Sequence, residues 1–286
     1  MTDAGGEIAI VESVAALTAP YDAWVCDIWG VLHNGVMAHQ GAVAAAKAFR
    51  ARGGTVVLVT NAPRPQASVA EQLTQLGIGH DAYDAILTSG DVTRGLIEPY
   101  AGRPITWIGP ERNRGIFAGV DVRFADPAAA EAVVCSGLYD DTRETPESYR
   151  AVLAALAARK IPMICANPDL SVDRGGTIVP CAGAVAAFYE TLGGRVAYAG
   201  KPYLPIYDRA FAAIASVRGS PPAREKILAI GDGVDTDIKG AAAAGIQSLY
   251  IASAIHLREP LSQASLSALF AGRRHRPMAA QAALAW

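Results

Sequence analysis

The segment AWVCDIWGVLHNG, residues 23–35, joins an apolar strand pattern to a carboxylate and two glycines. Its β-branched and aromatic residues predict a buried strand over 23–29. Gly30 and Gly35 follow Asp27 and allow the chain to turn tightly beside a ligand. An aspartate in this position could attack phosphorus and form an aspartyl-phosphate, which divides one difficult displacement into two easier ones. A turn or helix-capping role is the simpler alternative for Asp27.

Four more apolar segments are separated by alanine-rich stretches with a helical pattern. They predict strands at TVVLVTN (55–61), VAYAG (196–200), KILAIGD (226–232) and QSLYIA (247–252), and helices near 41–52, 66–76, 205–217 and 236–244. This alternation is typical of parallel strands joined by crossover helices, so the predicted fold class is α/β. Because the carboxyl ends of parallel strands share one edge, we expect Asp27, Thr60–Asn61, Lys201 and Asp232 to converge.

The segment 86–195 has strand and helix signals of its own. They are ITWIG, AVVCSG, a helical pattern over 146–160, and IPMICAN. A segment of this length is far longer than an ordinary loop. We therefore predict two domains, a core formed by residues 1–85 and 196–286, and an inserted cap formed by residues 86–195.

The segment IGDGVDTDIKGA, residues 230–241, places Asp232, Asp235 and Asp237 around a glycine turn. Carboxylates this close repel one another by roughly 1 to 4 kcal/mol per pair, depending on the local dielectric. A bound cation would relieve that repulsion, and Mg²⁺ needs only one or two carboxylates in addition to a substrate phosphate. Helix capping is the alternative, but it accounts for one or two of these residues better than for three.

Two further polar positions follow predicted strands. Hydroxyl, amide and backbone N–H groups at Thr60–Asn61 could hold phosphate oxygens, although a polar turn explains them equally simply. Lys201, in the sequence GKP, could neutralise both a phosphate and a nucleophile, whereas an isolated lysine before proline is ordinarily exposed. Taken singly, neither position indicates a function.

Composition excludes several classes of partner. The net charge is −2 and the charged fraction is 18%, so the electrostatic pattern expected of a nucleic-acid-binding or membrane-surface protein is missing. The apolar runs are too short and interrupted to span a bilayer, and the first residues are acidic where a signal peptide is basic, so we expect a cytoplasmic protein. The four cysteines lack zinc-like spacing and are expected to be buried thiols.

The order of these motifs along the chain is more informative than any one of them. A strand-end aspartate, a strand-end Thr-Asn, the lysine of GKP and the sequence GDGVDTD resemble the haloacid dehalogenase (HAD) superfamily, and specifically its class IIA of nitrophenyl, sugar and nucleotide phosphatases. The stretch CANPDLSVDRGGTIVPCAGAVAAFYETLGG (165–194), followed by GKP, is similar to the cap end and third motif of that class. The resemblance covers almost the whole chain.

The resemblance implies a Rossmann-like core with a central parallel sheet and an inserted α/β cap of the class IIA type. It implies a magnesium-dependent phosphatase acting on a small phosphorylated metabolite, and it is compatible with a homodimer. The site residues that it implies are the nucleophile Asp27, the phosphate-binding Thr60, Asn61 and Lys201, the metal ligands Asp27, Asp232, Asp237 and the backbone carbonyl of Trp29, and the substrate-facing cap residues Asn167 and Asp169.

One position departs from the family pattern. Phosphatases of the superfamily have a second aspartate two residues after the nucleophile, which serves as general acid and base, and this chain has Trp29 there, giving a D-x-W-G first motif. Loss of a positioned acid/base typically lowers the rate on the order of 10² to 10⁴. The loss should be largest for sugar-alcohol leaving groups, and the aspartyl-phosphate should hydrolyse slowly. His33 could substitute, or could simply pack or hydrogen-bond within the loop.

Trp29 leaves other functions open. Dehalogenases and phosphonoacetaldehyde hydrolases also lack the second aspartate, but dehalogenases need no metal site, and phosphonatases need a cap lysine for which only Lys160 is available. A catalytically impaired protein that binds a phosphorylated metabolite is the third alternative. Retention of Asp27 argues against it, because a pure binding site could replace the nucleophile.

Overall fold

The structure is a computed structural model that describes residues 7–174, 176–252, 257 and 259–286. Residues 1–6, on which the expected cytoplasmic location partly rests, lie outside the described residues. The strands of the described range are, in chain order, β1 (Ala9–Ile10), β2 (Ala23–Asp27), β3 (Thr55–Thr60), β4 (Ala85–Thr88), β5 (Pro104–Ile108), β6 (Arg123–Phe124), β7 (Ala132–Cys135), β8 (Met163–Cys165), β9 (Ser171–Arg174), β10 (Thr177–Pro180), β11 (Val196–Tyr198), β12 (Ile227–Gly231), β13 (Gln247–Ile251) and β14 (Ala279–Gln281).

The α-helices of the described range are α1 (Gln40–Ala51), α2 (Gln66–Gln75), α3 (Ser89–Ile97), α4 (Arg150–Ala158), α5 (Ala182–Thr191), α6 (Leu204–Arg218), α7 (Lys239–Ala243) and α8 (Gln263–Leu269). Of these eight helices, α1, α2, α4, α6 and α7 lie where helices were predicted, and α3, α5 and α8 were not predicted. The helix predicted over 146–160 begins as a 3₁₀ turn, Pro146–Tyr149, before α4. The helix predicted over 236–244 begins as a π-helical turn, Val234–Ile238, before α7.

The chain divides into two compact units. Unit 1 contains the chain up to Thr60, Ala70–Leu87 and Tyr207–Trp286, and unit 2 contains Asn61–Val69 and Thr88–Ile206. The division into a core of residues 1–85 and 196–286 and an inserted cap of residues 86–195 remains a prediction.

Unit 1 is built on a seven-stranded sheet with the order β1-β14-β13-β12-β2-β3-β4. The pairings of β12 with β13, β12 with β2, and β2 with β3 are parallel. Every residue of β2, β3 and β12 is buried, as expected of parallel strands covered on both faces by helices. The fold class is therefore α/β with a central parallel sheet, as predicted.

Unit 2 contains a second parallel sheet with the order β11-β8-β7-β5-β6 and an antiparallel hairpin, β9–β10. Alternate residues of β7 enter different apolar clusters, because successive side chains of a strand point to opposite faces. Val133 and Cys135 pack on the face that carries Leu153 of α4. Ala132 and Val134 pack on the other face, which makes unit 2 a sheet covered on both sides.

One strand prediction was wrong about the sheet. VAYAG was predicted as a strand of the same sheet as AWVCDIW, but β11 pairs in parallel with β8 in the sheet of unit 2. The physical reason is that an apolar, β-branched run reports burial and not the identity of its neighbour in the sheet.

The four cysteines are buried and free, as predicted. Across residues 7–174, 176–252, 257 and 259–286, we find no helix whose length and hydropathy would let it cross a bilayer.

Candidate active site

Three aspartates meet at the carboxyl edge of the unit 1 sheet. Asp27 is the last residue of β2, and Asp232 directly follows β12, the neighbouring parallel strand, in which Ile230 is the register partner of Cys26. Asp237 comes from the turn after β12. One carboxylate oxygen from each of the three lies within 4.8 Å of those from the other two, and all three residues are buried. The predicted proximity of Asp27, Asp232 and Asp237 is therefore present in unit 1.

The donor set fits a small divalent cation. Two oxygens bound to one Mg²⁺ at about 2.1 Å lie at most about 4.2 Å apart, which is close to the spacing of these carboxylates. All three donors are hard oxygen ligands, the type that Mg²⁺ prefers. Three anions at this separation and burial repel one another strongly, so a cation would stabilise the arrangement.

The turn that carries Asp237 is irregular. The N–H of Ile238 donates to the carbonyl of Gly233 at 3.0 Å, which is the wide spacing of a π-helical turn. Such turns occur frequently at functional sites. The carboxylate of Asp237 accepts the backbone N–H of Gly233 at 3.1 Å, and a Cβ atom on Gly231 would lie 2.1 Å from its Cγ atom. Gly231 and Gly233 thus leave room for the Asp237 side chain to pack against the end of β12.

The negative charge of Asp232 also acts on Tyr250 of β13. Tyr250 is fully buried, and burial raises the pKa of its hydroxyl well above the usual range, with a further contribution from Asp232. Tyr250 therefore stays protonated near neutral pH, and it adds no charge to the group.

Thr60 lies at the same edge of the sheet. It is the last residue of β3, one residue beyond Val59, the register partner of Asp27, and its side chain is buried. Thr60 therefore lies at the sheet edge that carries Asp27.

The loop after Asp27 is compact and self-bonded. The N–H of Gly30 donates to the carbonyl of His33 at 2.8 Å, and the N–H of Gly35 donates to Nδ1 of His33 at 2.9 Å. The indole of Trp29 meets the His33 ring edge-on, with centroids 5.1 Å apart. Gly30 and Gly35 have φ values of +85° and +87°, the conformation that glycine adopts most readily.

These contacts define what Trp29 and His33 can do. The indole of Trp29 has no acidic proton to give to an oxygen leaving group near neutral pH. Nδ1 of His33 accepts a hydrogen bond, so the ring proton is on Nε2, and the ring is 2% exposed. In this state Nε2 already carries the proton and the lone pair of Nδ1 is engaged by Gly35, so an acid or base role of His33 would require the Gly35 N–H to release Nδ1.

In unit 2, Asn61 connects Lys201 to Asp169. Its side-chain oxygen accepts the backbone N–H of Lys201 at 2.8 Å, while its amide nitrogen donates to the carbonyl of Lys201 at 3.1 Å and to the carboxylate of Asp169 at 2.9 Å. The side-chain oxygen of Asn167 accepts the backbone N–H of Asp169 at 2.9 Å. Asn61, Asn167 and Lys201 are buried. Together with Asp169 they form one hydrogen-bonded group of four predicted residues.

This hydrogen bonding is not predicted by the sequence, and neither is a second polar group of unit 2. The carboxylate of Asp141 accepts hydrogen bonds from Arg112 and Arg174, residues 29 and 33 positions away. No local motif marks these three residues, because they are 29 and 33 positions apart in sequence and meet only in the folded chain.

Comparison with known proteins supports the resemblance. Residues 24–123 match the haloacid dehalogenase-like hydrolase family, and residues 198–271 match a second HAD-hydrolase-like family. The crystal structure of a haloacid dehalogenase-like hydrolase from Brucella suis is 50% identical, with a TM-score of 0.83, and the alignment covers 85% of this chain and 93% of that one.

Two further matches are phosphatases of Mycobacterium tuberculosis. A D-glycerol 3-phosphate phosphatase is 28% identical over 84% of this chain, which spans only 65% of that curated relative's length. The structure of a glycerol phosphate phosphatase in complex with magnesium is 26% identical, with a TM-score of 0.68, and the alignment covers 94% of this chain and 77% of that one. The 50% identity to the Brucella structure and the two family matches show that the chain belongs to the haloacid dehalogenase-like hydrolases.

Proposed function

We propose that this protein is a magnesium-dependent phosphohydrolase that acts on a small phosphorylated metabolite through an aspartyl-phosphate on Asp27. The observation that carries the proposal is the buried group of Asp27, Asp232 and Asp237, whose oxygens lie within 4.8 Å of one another. The matches to glycerol phosphate phosphatases, one of them in complex with magnesium, support the same reaction class.

The proposed metal ligands are the carboxylates of Asp27, Asp232 and Asp237 and the backbone carbonyl of Trp29. Bound Mg²⁺ would offset the charge of these carboxylates and of the substrate phosphate. We assign the substrate phosphate to the Thr60 hydroxyl, the backbone N–H of Asn61 and the ammonium group of Lys201. The side-chain amide of Asn61 is engaged with Asp169 and Lys201, so we assign it a positioning role.

The reaction proceeds in two displacements. A carboxylate oxygen of Asp27 attacks phosphorus, the phosphorus–oxygen bond to the leaving group breaks, and the leaving group departs with its electron pair. Water then attacks the phosphorus of the aspartyl-phosphate, loses a proton, and releases inorganic phosphate while the Asp27 carboxylate is regenerated. Because Trp29 stands where a general acid is expected, the first displacement should favour leaving groups that depart without a proton.

The competing chemistries are less well supported. The Schiff-base lysine of a phosphonatase needs a desolvated pocket, but Lys160 is exposed at the end of α4, with a φ of +57°. A dehalogenase would have no use for Asp232 and Asp237 as metal ligands. A binding protein without turnover is favoured by Trp29 alone, and the experiment below separates it from the enzyme.

The test is phosphate release from acetyl phosphate, p-nitrophenyl phosphate, sugar phosphates and nucleotides, with and without Mg²⁺. Asp27→Asn, which keeps the shape and removes the nucleophile, is the control. Magnesium-dependent release that disappears in Asp27→Asn supports the proposal. Magnesium-dependent ligand binding without release from any substrate would contradict it and indicate a binding protein.

A further inference from the structure

We infer that unit 2 contains a binding site for a second anionic group of the substrate, a carboxylate or a second phosphate, formed by Arg112 and Arg174 around Asp141. The inference rests on the proposed function, because it takes the substrate to be a phosphorylated compound. It narrows the substrate class to small phosphorylated compounds that carry a further anionic group, as distinct from alcohols and sugars carrying one phosphate.

The first observation is a surplus of positive charge. The Asp141 side chain is 8% exposed, and its carboxylate accepts Nη1 and Nη2 of Arg174 at 3.0 and 2.7 Å and Nη2 of Arg112 at 2.5 Å. Two guanidinium groups thus share one carboxylate, which leaves the group one positive charge in excess. The ion pairs Arg103–Glu131, Arg114–Glu111 and Arg143–Asp140 of the same unit contain equal numbers of each charge.

The second observation is that both arginines retain exposed surface. The Arg112 and Arg174 side chains are 53% and 43% exposed, while the carboxylate between them is covered. Each guanidinium has five N–H donors in a planar arrangement that suits a carboxylate or phosphate. Asp141 occupies one donor of Arg112 and two of Arg174, so the pair can also hold an external anion.

A third arginine lies close enough to Arg112 for the two charges to interact. Arg64 is partly buried, and its pKa is lowered by burial and by the like charge of Arg112. The pKa of Asp141 is lowered by its hydrogen bond to Arg174 and by the charges of both arginines. Asp141 is therefore ionised across the physiological range, and it orients the two arginines without neutralising both.

The topology of unit 2 places these residues at a ligand-binding edge. In an open parallel sheet the ligand crevice lies outside the carboxyl ends of the strands. Arg112 follows the carboxyl end of β5, Asp141 follows that of β7, and Asp169 and Lys201 follow those of β8 and β11, strands that are all parallel. The arginine pair therefore shares its sheet edge with residues of the proposed phosphate site.

Chain connections limit the distance between the two anion sites. Arg64 is three residues from Asn61, a stretch that extends over at most about 11 Å. Arg174 is five residues from Asp169, which accepts the hydrogen bond of Asn61. A substrate whose phosphate lies beside Asn61 would thus place a second anionic group near the arginines if the two groups are a few bonds apart.

The test compares two ligands that differ in one group. Glycerol 3-phosphate and 3-phosphoglycerate carry the same phosphate, but the second has a carboxylate in place of a hydroxymethyl group. Their dissociation constants are measured by calorimetry with Mg²⁺ in the Asp27→Asn variant of the 286-residue chain, where turnover cannot interfere. We expect 3-phosphoglycerate to bind about tenfold more tightly or better, the usual effect of one charge-assisted hydrogen bond.

The arginine variants connect this preference to the site. Arg112→Gln leaves Asp141 paired with Arg174 and should reduce the preference to near unity by weakening 3-phosphoglycerate much more than glycerol 3-phosphate, and Arg112→Lys should restore part of the preference. Arg143→Gln is the matched control, because Arg143 is 85% exposed and pairs only loosely with Asp140, at 3.6 Å. It should leave the preference unchanged.

Two results would overturn the inference. Equal affinities for the two ligands in Asp27→Asn would show that the second anionic group is not recognised. A preference that Arg112→Gln retains, or equal weakening of both ligands, would show that the arginine pair does not bind it. Failure of the proposed function is a separate result, since it requires that the wild-type protein release no phosphate from any compound of the panel.

Discussion

A Cβ atom on Gly30 would lie 2.1 Å from Oδ2 of Asp232, a separation at which one of the two groups must move. Gly30 is three residues beyond Asp27, the proposed nucleophile, and it lies against the carboxylate of Asp232, which follows the neighbouring strand. The loop after β2 therefore closes directly onto the proposed metal ligands. Glycine is required at this position for space as well as for its backbone conformation, a φ of +85°.

Gly30→Ala should displace the Asp232 carboxylate and raise the Mg²⁺ concentration for half-maximal activity by about 10- to 100-fold, the usual effect of disturbing the support of a metal ligand. The left-handed backbone adds an energetic cost of about 1 to 2 kcal/mol. Gly53→Ala is the matched control, with a φ of +89° and no atom within 4 Å of the added methyl group. It should lose similar stability and keep its Mg²⁺ dependence; equal Mg²⁺ responses in the two variants would contradict the explanation.

Much of the unit 1 site could be predicted from the sequence because its information is local. Asp27 and Asp232 each end or follow a strongly apolar strand, and parallel strands bring such residues to one edge. The hydrogen bond between Asn61 and Asp169 joins residues 108 positions apart, and no spacing or periodicity encodes it. The same holds for β11, whose pattern predicted a strand correctly but could not specify that β8 would be its neighbour.

The Asp237 carboxylate should contribute directly to metal binding. Asp237→Asn keeps a hydrogen-bond acceptor for the Gly233 N–H but removes a negative charge, so the Mg²⁺ requirement should rise by about tenfold or more. Mg²⁺ should also increase the free energy of unfolding of the wild-type protein, by about 2.7 kcal/mol at a concentration of about 100 times the dissociation constant. The melting temperature should rise accordingly. This stabilisation should be much smaller in Asp237→Asn.

Asp235→Asn provides the comparison within the same turn. The Asp235 side chain is 62% exposed and pairs with Arg273, away from the group of three carboxylates. Its removal should change neither the Mg²⁺ requirement nor the Mg²⁺-dependent stabilisation. Loss of the magnesium response in Asp235→Asn to the same degree as in Asp237→Asn would count against the assigned ligands.

Trp29→Asp should change which leaving groups the enzyme accepts. A carboxyl group at this position can protonate a departing alkoxide, whereas nitrophenolate leaves without help. We expect the ratio of activity on glycerol 3-phosphate to activity on p-nitrophenyl phosphate to rise by about tenfold. This is less than the usual effect of a general acid, because the newly introduced group has no supporting contacts that position it. Steady-state kinetics on the two substrates measure the ratio.

Trp29→Phe controls for the loss of the indole. In the wild-type protein the Trp29 ring packs closely on Gly35, where an added Cβ atom would lie 2.4 Å from the indole, and meets the His33 ring. Phenylalanine keeps an aromatic ring without supplying an acid, so the substrate ratio should remain at the wild-type value. A rise in Trp29→Phe equal to that in Trp29→Asp would assign the effect to packing instead of proton transfer.

The proposed acid/base role of His33 can be tested by separating its two ring nitrogens. Nδ1 accepts the backbone N–H of Gly35 at 2.9 Å, and the side-chain oxygen of asparagine can take over that hydrogen bond. His33→Asn therefore preserves the loop and removes Nε2. If the His33 ring transfers a proton, kcat should fall on the order of 10² to 10⁴ and one limb of the pH profile should disappear. An unchanged rate and pH profile in His33→Asn, with lower stability in His33→Ala, would instead limit His33 to holding the loop through Gly35.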